Sequence, residues 1–188
     1  MGSLEAACVV HQLRSDSGNV GVTAIDKRPV DGPVRVRPLG LYADAQADRA
    51  HHGGADKALY AYSAADAEYW ESELGRPLPA GWFGENLRVS GIDVSGAPIG
   101  SRWQIGAQVV VEVTMPRTPC QTFARWVGGA DARGWVKRFA TALRPGAYLR
   151  VVTPGSILAG DTITVLSQPA GAPTIAEVFA GSLSSTRA

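Results

Sequence analysis

Glycine and proline are spread along almost the whole chain, 22 and 12 of 188 residues, and this restricts its fold more than any other feature. Both weaken helix interiors: proline lacks a backbone donor, and glycine costs about 0.5–1 kcal/mol relative to alanine there. A helical bundle does not suit such a chain, whereas many short strands joined by turns do. Turn chemistry is densest at Arg28-Pro29-Val30-Asp31-Gly32-Pro33.

Alternation and β-branched content predict strands at 20–25, 34–39, 58–62, 87–90, 102–105, 108–114, 147–152 and 162–166. Residues 1–19 read as a lead-in. Ser63 caps a helix over 64–74, where Ala67, Trp70 and Leu74 recur at helical spacing and Gly75 supplies the stop. A short helix follows at 121–127, ended by Gly128-Gly129. Asp131 then caps a helix over 132–143, and a further short helix fits near 174–179. The expected fold is mainly β with inserted helices (α+β). About eight strands would form a closed or nearly closed β-barrel, because closure removes sheet edges. The chain reads as one domain, with its core at about 20–166 and a C-terminal tail over 167–188 that holds the short helix and ends in loose last residues.

Apolar residues make up 45% of the chain, enough for a sizeable core. Eighteen basic residues balance 17 acidic ones without forming a stripe, which argues against nucleic acid as a partner. No apolar run approaches bilayer length, and the start lacks the pattern of a secretory signal, so a cytoplasmic, non-membrane setting is expected. Two cysteines, Cys8 and Cys120, read as free thiols in a reducing compartment. With three histidines (His11, His51, His52) and no CxxC, a Cys/His zinc site is not expected.

Three stretches are over-specified for packing. In Pro116-Arg117-Thr118-Pro119-Cys120, Pro119 shapes a turn before a helix start, so Cys120 meets aimed backbone N–H groups. Arg117 adds positive charge, and both favour the thiolate, the form that attacks and binds metals. In His51-His52-Gly53-Gly54-Ala55-Asp56-Lys57, paired glycines can form an oxyanion-binding nest beside Lys57, and His52 can donate to a ligand oxygen or shuttle a proton. In Phe83-Gly84-Glu85-Asn86-Leu87, Glu85 or Asn86 can hydrogen-bond a heterocyclic ring edge. Each stretch has a plain structural alternative when read alone: a buried cysteine, a Gly-Gly turn with a solvated lysine, and a left-handed Asn86 beside a solvated Glu85. Asp44 and Asp48 read as a solvated face.

Taken in order, these stretches resemble the MOSC family, named after the C-terminal part of molybdenum cofactor sulfurase. The resemblance rests on His52-Gly53-Gly54 with Lys57-Ala58, Phe83-Gly84-Glu85-Asn86-Leu87 and Ile99-Gly100 through Ile105-Gly106. It continues through Glu112-Val113-Thr114 into Pro116-Arg117-Thr118-Pro119-Cys120, then Gly146-Ala147-Tyr148-Leu149-Arg150-Val151-Val152 and Gly160-Asp161, covering about 20 to 166. It is nearest to small stand-alone bacterial members, with Pro173-Thr174-Ile175-Ala176 resembling the remnant of a C-terminal helical extension.

The family implies a β-barrel holding the molybdenum cofactor (molybdopterin), with Cys120 as protein ligand to the metal. It implies catalytic roles for Cys120 and His52, and cofactor contacts from Gly53, Gly54, Lys57, Asn86, Arg117, Thr118, Tyr148 and Arg150. Related reductases take oxygen from N-hydroxylated bases and similar small-molecule substrates. Sulfurase relatives instead bind cofactor while sulfur is delivered, and the cysteine has been proposed to carry a persulfide. A sulfur carrier served by a sulfur donor is therefore an alternative, and a non-catalytic barrel is another. Pyridoxal phosphate binding is associated with the family only at family level. Two cysteines provide no iron–sulfur centre, so reduction would draw on a separate electron-donor protein.

Overall fold

The computed structural model describes residues 1–18, 20–46 and 53–185. Among them the strands are β1 (Gly2–Val10), β2 (Arg14–Ser15), β3 (Val22–Thr23), β4 (Lys27–Pro29), β5 (Val34–Arg37), β6 (Gly40–Leu41), β7 (Leu59–Ser63), β8 (Leu87–Ser90), β9 (Arg102–Ile105), β10 (Val109–Pro116), β11 (Ala147–Thr153), β12 (Gly155–Ile157) and β13 (Thr162–Ser167). The helices are α1 (Ala64–Leu74), α2 (Gln121–Val127), α3 (Trp135–Thr141) and α4 (Ile175–Ser185). Seven strands close into a barrel in the order β13-β9-β10-β11-β7-β8-β1, and β1 returns to β13 through Gly2↔Ile163 and Ser3↔Thr162. Every neighbour pair in the ring is antiparallel except β7–β8, which α1 joins as a parallel crossover. The expected mainly β barrel with inserted helices is what forms.

Alternation along β7 and β11 builds two cores. Leu59, Ala61, Ala147 and Leu149 face the barrel interior with Leu4, Trp103 and Val111. Tyr60, Tyr62 and Tyr148, one residue out of phase, face outward and pack under the helices with Trp70, Phe123, Trp135 and Phe139. Tyr62 stacks on Phe83 at 4.1 Å, and Trp70 on Phe139 at 5.4 Å. This aromatic layer fixes α2, and with it the turn that carries Cys120, against the barrel wall.

The structure corrects several expectations. Residues 2–10, read as part of a lead-in, are barrel strand β1, so the core begins well before residue 20. Gly2-Ser3-Leu4-Glu5-Ala6-Ala7-Cys8 has little strand propensity of its own; pairing with β8, β4 and β13 decides its state. The expected strand at 20–25 shrinks to β3, which pairs with β2 in a hairpin outside the barrel. The helix placed at 132–143 starts later, because Gly134 takes a left-handed conformation (φ 71°) and is its N-cap. Asp131 lies instead in a 3₁₀ turn (Gly129–Ala132) and faces Arg138 at 3.6 Å. The short helix expected near 174–179 forms as the longer α4, started by a capping box: Thr174 Oγ1 accepts from Glu177 N (3.2 Å), and Glu177 Oε2 accepts from Thr174 N (2.8 Å). Its Ile175 is buried in the barrel cluster. Among the described residues no helix is long and apolar enough to cross a membrane.

Candidate active site at Cys120

Strand β10 ends at Pro116, and Arg117–Cys120 turn the chain into α2. Pro119 and the extended backbone of Cys120 (φ −130°, ψ 170°) place Cys120 at the helix N-cap, where its side chain makes no capping hydrogen bond. Its thiol is free and half-buried, in the wall of a cavity of about 880 Å³. That volume falls within the roughly 300–1,000 Å³ of small-molecule sites. Lys57, Asn86, Arg117, Thr118 and Tyr148 line the same cavity, so six residues marked out in the sequence converge although they span 92 positions.

Arg117 gives the cavity its electrostatic character. Its side chain is buried, one guanidinium N–H donates to Phe83 O, and the guanidinium lies over the Tyr60 and Phe123 rings at 4.9 and 4.8 Å. Among the described residues no carboxylate pairs with it. Burial alone would lower its pKa, but the Tyr60, Tyr148 and Cys120 groups beside it outweigh that, and it stays cationic. A buried cation without a carboxylate is the chemistry that receives an anionic ligand. Lys57 Nζ lies 6.0 Å from the centre of the Tyr148 ring, on the same cavity.

Other sequence-derived candidates sit differently. Gly53 and Gly54 do not line the cavity; Gly54 N donates to Gln46 Oε1 (3.1 Å), and Gln46 does line it. His51 and His52 lie outside the described residues, as does Asp48. Arg150 points along the outer face of β11, away from the cavity, where Asp56 Oδ1 (2.7 Å) and Glu112 Oε1 (3.2 Å) accept from it. It shares a face with Tyr148, two residues further along the strand, but does not line the cavity. Glu85 is not solvated: it is fully buried, and its Oε1 accepts from Arg88 Nε (2.9 Å) and Gly81 N (2.8 Å). Asn86 lines the cavity, but its amide holds the wall together. Its Nδ2 donates to Cys8 O (3.2 Å) and Asp44 Oδ2 (2.7 Å), and its Oδ1 accepts from Tyr60 N (3.1 Å).

The sequence reading missed Lys27 and Asp16 and took Asp44 for part of a solvated face; Lys27 and Asp44 form a buried ion pair on the cavity lining, and Asp16 lies on the hairpin β2–β3. Their partners lie 17 and 109 residues away, so no local pattern marks them. Asp16 ties the hairpin to α2: it accepts from Arg125 Nε and Nη2 (both 2.7 Å) and Thr122 Oγ1 (2.9 Å). The Arg125 bonds above all hold its carboxyl down at about 2. A carboxyl lowered in this way contributes fully above its ordinary value of 3.8 and loses that contribution as pH falls toward 2, so the clamp is intact at neutral pH.

The hairpin residues Asp16, Gly18 and Val22 line the Cys120 cavity. Asp16→Asn should therefore raise the rate at which iodoacetamide alkylates Cys120 at neutral pH by about tenfold, the worth of one charge-assisted bond at a partly exposed site. Cys8 is the internal control: it is fully buried, and burial foremost pushes its thiol up to about 12. An unchanged Cys120 rate, read by mass spectrometry, would mean the hairpin does not govern access.

Among the described residues no three His, Cys, Asp or Glu side chains gather to hold a metal ion. A metal at Cys120 would take one protein thiolate and draw its other ligands from a cofactor. The single thiol beside a buried, carboxylate-free guanidinium fits an anionic cofactor of that kind.

Residues 48–164 match the family model for the MOSC domain. The chain is 35% identical to YflK of Bacillus subtilis over 78% of its own length and 64% of that protein. It is 32% identical to a protein named reductase from Gibberella moniliformis, over 78% of its length and 26% of the relative. It thus spans less than two thirds of either. The crystal structure of YiiM from Geobacillus stearothermophilus superposes with a TM-score of 0.77 at 28% identity, covering 95% of this chain and 82% of that one. A barrel of this topology, a Pro-Arg-Thr-Pro-Cys turn opening on its cavity and a family match over most of the chain place the protein in the MOSC domain family.

Proposed function

We propose that the chain binds the molybdenum cofactor in this cavity, with the Cys120 thiolate as protein ligand to the metal, and reduces N-hydroxylated or N-oxygenated small molecules. The observation that carries this reading is the half-buried Cys120 thiol on a cavity shared with the buried guanidinium of Arg117, which no described carboxylate neutralises. The reductase name of one relative agrees with it. When bound, the cofactor supplies the oxygen-atom and two-electron chemistry.

The chain's own residues do the rest. Arg117 and Lys57 offer positive charge to a cofactor phosphate, and Thr118 a hydroxyl in the same wall. Tyr148 forms the side of the cavity over which Lys57 lies. The bend at Gly53 and Gly54 is tied through Gly54 N to Gln46, which lines the cavity. Arg150, held by two carboxylates outside the cavity, is left out. With Cys8 sealed in the core, electrons come from a separate donor protein, in a cytoplasmic setting that keeps Cys120 reduced.

Protein purified from cofactor-replete cells should carry molybdenum near one per chain, and Cys120→Ala should lose it while keeping a cooperative melt within a few degrees of wild type, because a half-buried thiol contributes little packing. Metal retained by the alanine variant would remove Cys120 as ligand. Cyanide-releasable sulfur on Cys120 without metal would identify a persulfide carrier instead. Neither metal nor sulfur would leave a non-catalytic barrel.

A further inference from the structure

Lys27, on β4, lines the cavity while only 9% of its side chain is exposed. Its ammonium donates to Asp44 Oδ2. Asp44 in turn accepts from Val10 N at Oδ1 (2.9 Å) and from Asn86 Nδ2 at Oδ2 (2.7 Å). The carboxylate is thus anchored to β1 and to the segment before β8, and it holds the lysine in one place.

An ammonium has three N–H donors, and Asp44 receives the one hydrogen bond described for Lys27. Glu85, another carboxylate in its surroundings, does not take a second, since its Oε1 serves Arg88 and Gly81 and its Oε2 accepts no hydrogen bond. Buried donors left without acceptors are costly, so donors of this kind on a cavity call for an acceptor brought by a ligand. Charge sorts the ligand by kind. Arg117 has no carboxylate beside it and suits an anion, whereas the charge of Lys27 is cancelled by Asp44, so this part of the cavity suits a neutral, strongly accepting atom.

We propose that Lys27 is the substrate-binding donor of the cavity, its remaining N–H groups holding the oxygen of a neutral N-oxygenated ligand such as an N-oxide or oxime. This rests on the reductase reading for the choice of N-oxygenated ligand, and on the geometry alone for the neutral acceptor. Burial draws the lysine toward giving up its proton, and Asp44 opposes that.

The test uses cofactor-free protein and two probes, pyridine N-oxide and inorganic phosphate, with binding followed by NMR shifts of labelled protein. Lys27→Met should weaken pyridine N-oxide binding about tenfold and change phosphate binding less than about twofold. In Lys27→Ala, added methylammonium should restore N-oxide binding, a rescue that a misfolded variant would not show. The proposal is overturned if wild type gives no saturable shift with pyridine N-oxide, if Lys27→Met binds it as wild type does, or if that variant loses both probes together. Because neither probe needs molybdenum, a failure of metal loading leaves this result readable, and a failure here leaves the Cys120 reading standing.

Discussion

Phe123→Ala should destabilise the protein by about 3–5 kcal/mol, the range for truncating a fully buried phenylalanine. The ring is wholly buried and meets Trp135 at 5.4 Å, Phe139 at 5.2 Å, Trp82 at 5.9 Å and Phe83 at 6.1 Å, all edge-on. Its face also carries the Arg117 guanidinium at 4.8 Å. These neighbours come from α3, the 82–83 turn and the β10–α2 turn, each fixed elsewhere, so the space left by the ring does not collapse. Typical domains are stable by about 5–15 kcal/mol, so this one truncation removes a large share. Chemical denaturation reads it as a fall in midpoint without a change in slope. Val178→Ala, on an exposed face of α4, should stay within about 0.5 kcal/mol and serves as control. A loss under about 1 kcal/mol for Phe123→Ala would mean that the aromatic layer repacks, and that the Cys120 turn is less firmly held than its surroundings indicate.

Arg117→Met should separate stability from binding. Methionine is apolar, flexible and similar in length, so it removes the buried charge without leaving a large void. Such replacements of buried ions are often neutral or stabilising. Here the two ring contacts and the bond to Phe83 O are also lost, so the melt should lie within about 1 kcal/mol of wild type. Binding should move much further. A guanidinium bidentate to phosphate makes two charge-assisted hydrogen bonds of about 1.5–3 kcal/mol each, so phosphate or cofactor affinity should fall at least about a hundredfold. Isothermal titration with phosphate and molybdenum content after purification both read this. A variant that binds as wild type does, or that unfolds, would recast Arg117 as a structural cation.

The sequence revealed most where one local device decides the outcome. Ser63 accepting from Asp66 N and Gly75 in a left-handed conformation set the ends of α1 at 64 and 74, as expected. Gly128 ends α2 where the Gly-Gly pair promised it would. Strands β8 and β9 fall on their expected residues because turns bound them closely. Cys120, Arg117 and Thr118 were found together because the motif is contiguous, and Lys57 and Tyr148 through the order of the family's motifs. What escaped depended on distant pairing. Strand β1 is a strand because β8 and β13 offer it edges. The pair Lys27–Asp44 is buried because β4 lies against β1, which turns a polar stretch into cavity wall. Glu85, whose plain alternative was a solvated charge, is buried with Arg88, which lies over the Phe83 ring of the aromatic layer outside the barrel. The helix near 174 was expected, but shorter than it is; the capping box at Thr174 that starts it lay among small polar residues.

The barrel's seam joins the first strand of the chain to the last, Gly2 and Ser3 against Ile163 and Thr162. During synthesis, β1 leaves the ribosome long before its two flanking staves exist, and the ring has to wait for the final segment before it can shut. Non-local closure of this kind is slow, because a long loop is ordered before any contact rewards it. A nascent chain stalled short of residue 162 would present two raw sheet edges at once, and so would be a natural client for chaperones or proteases.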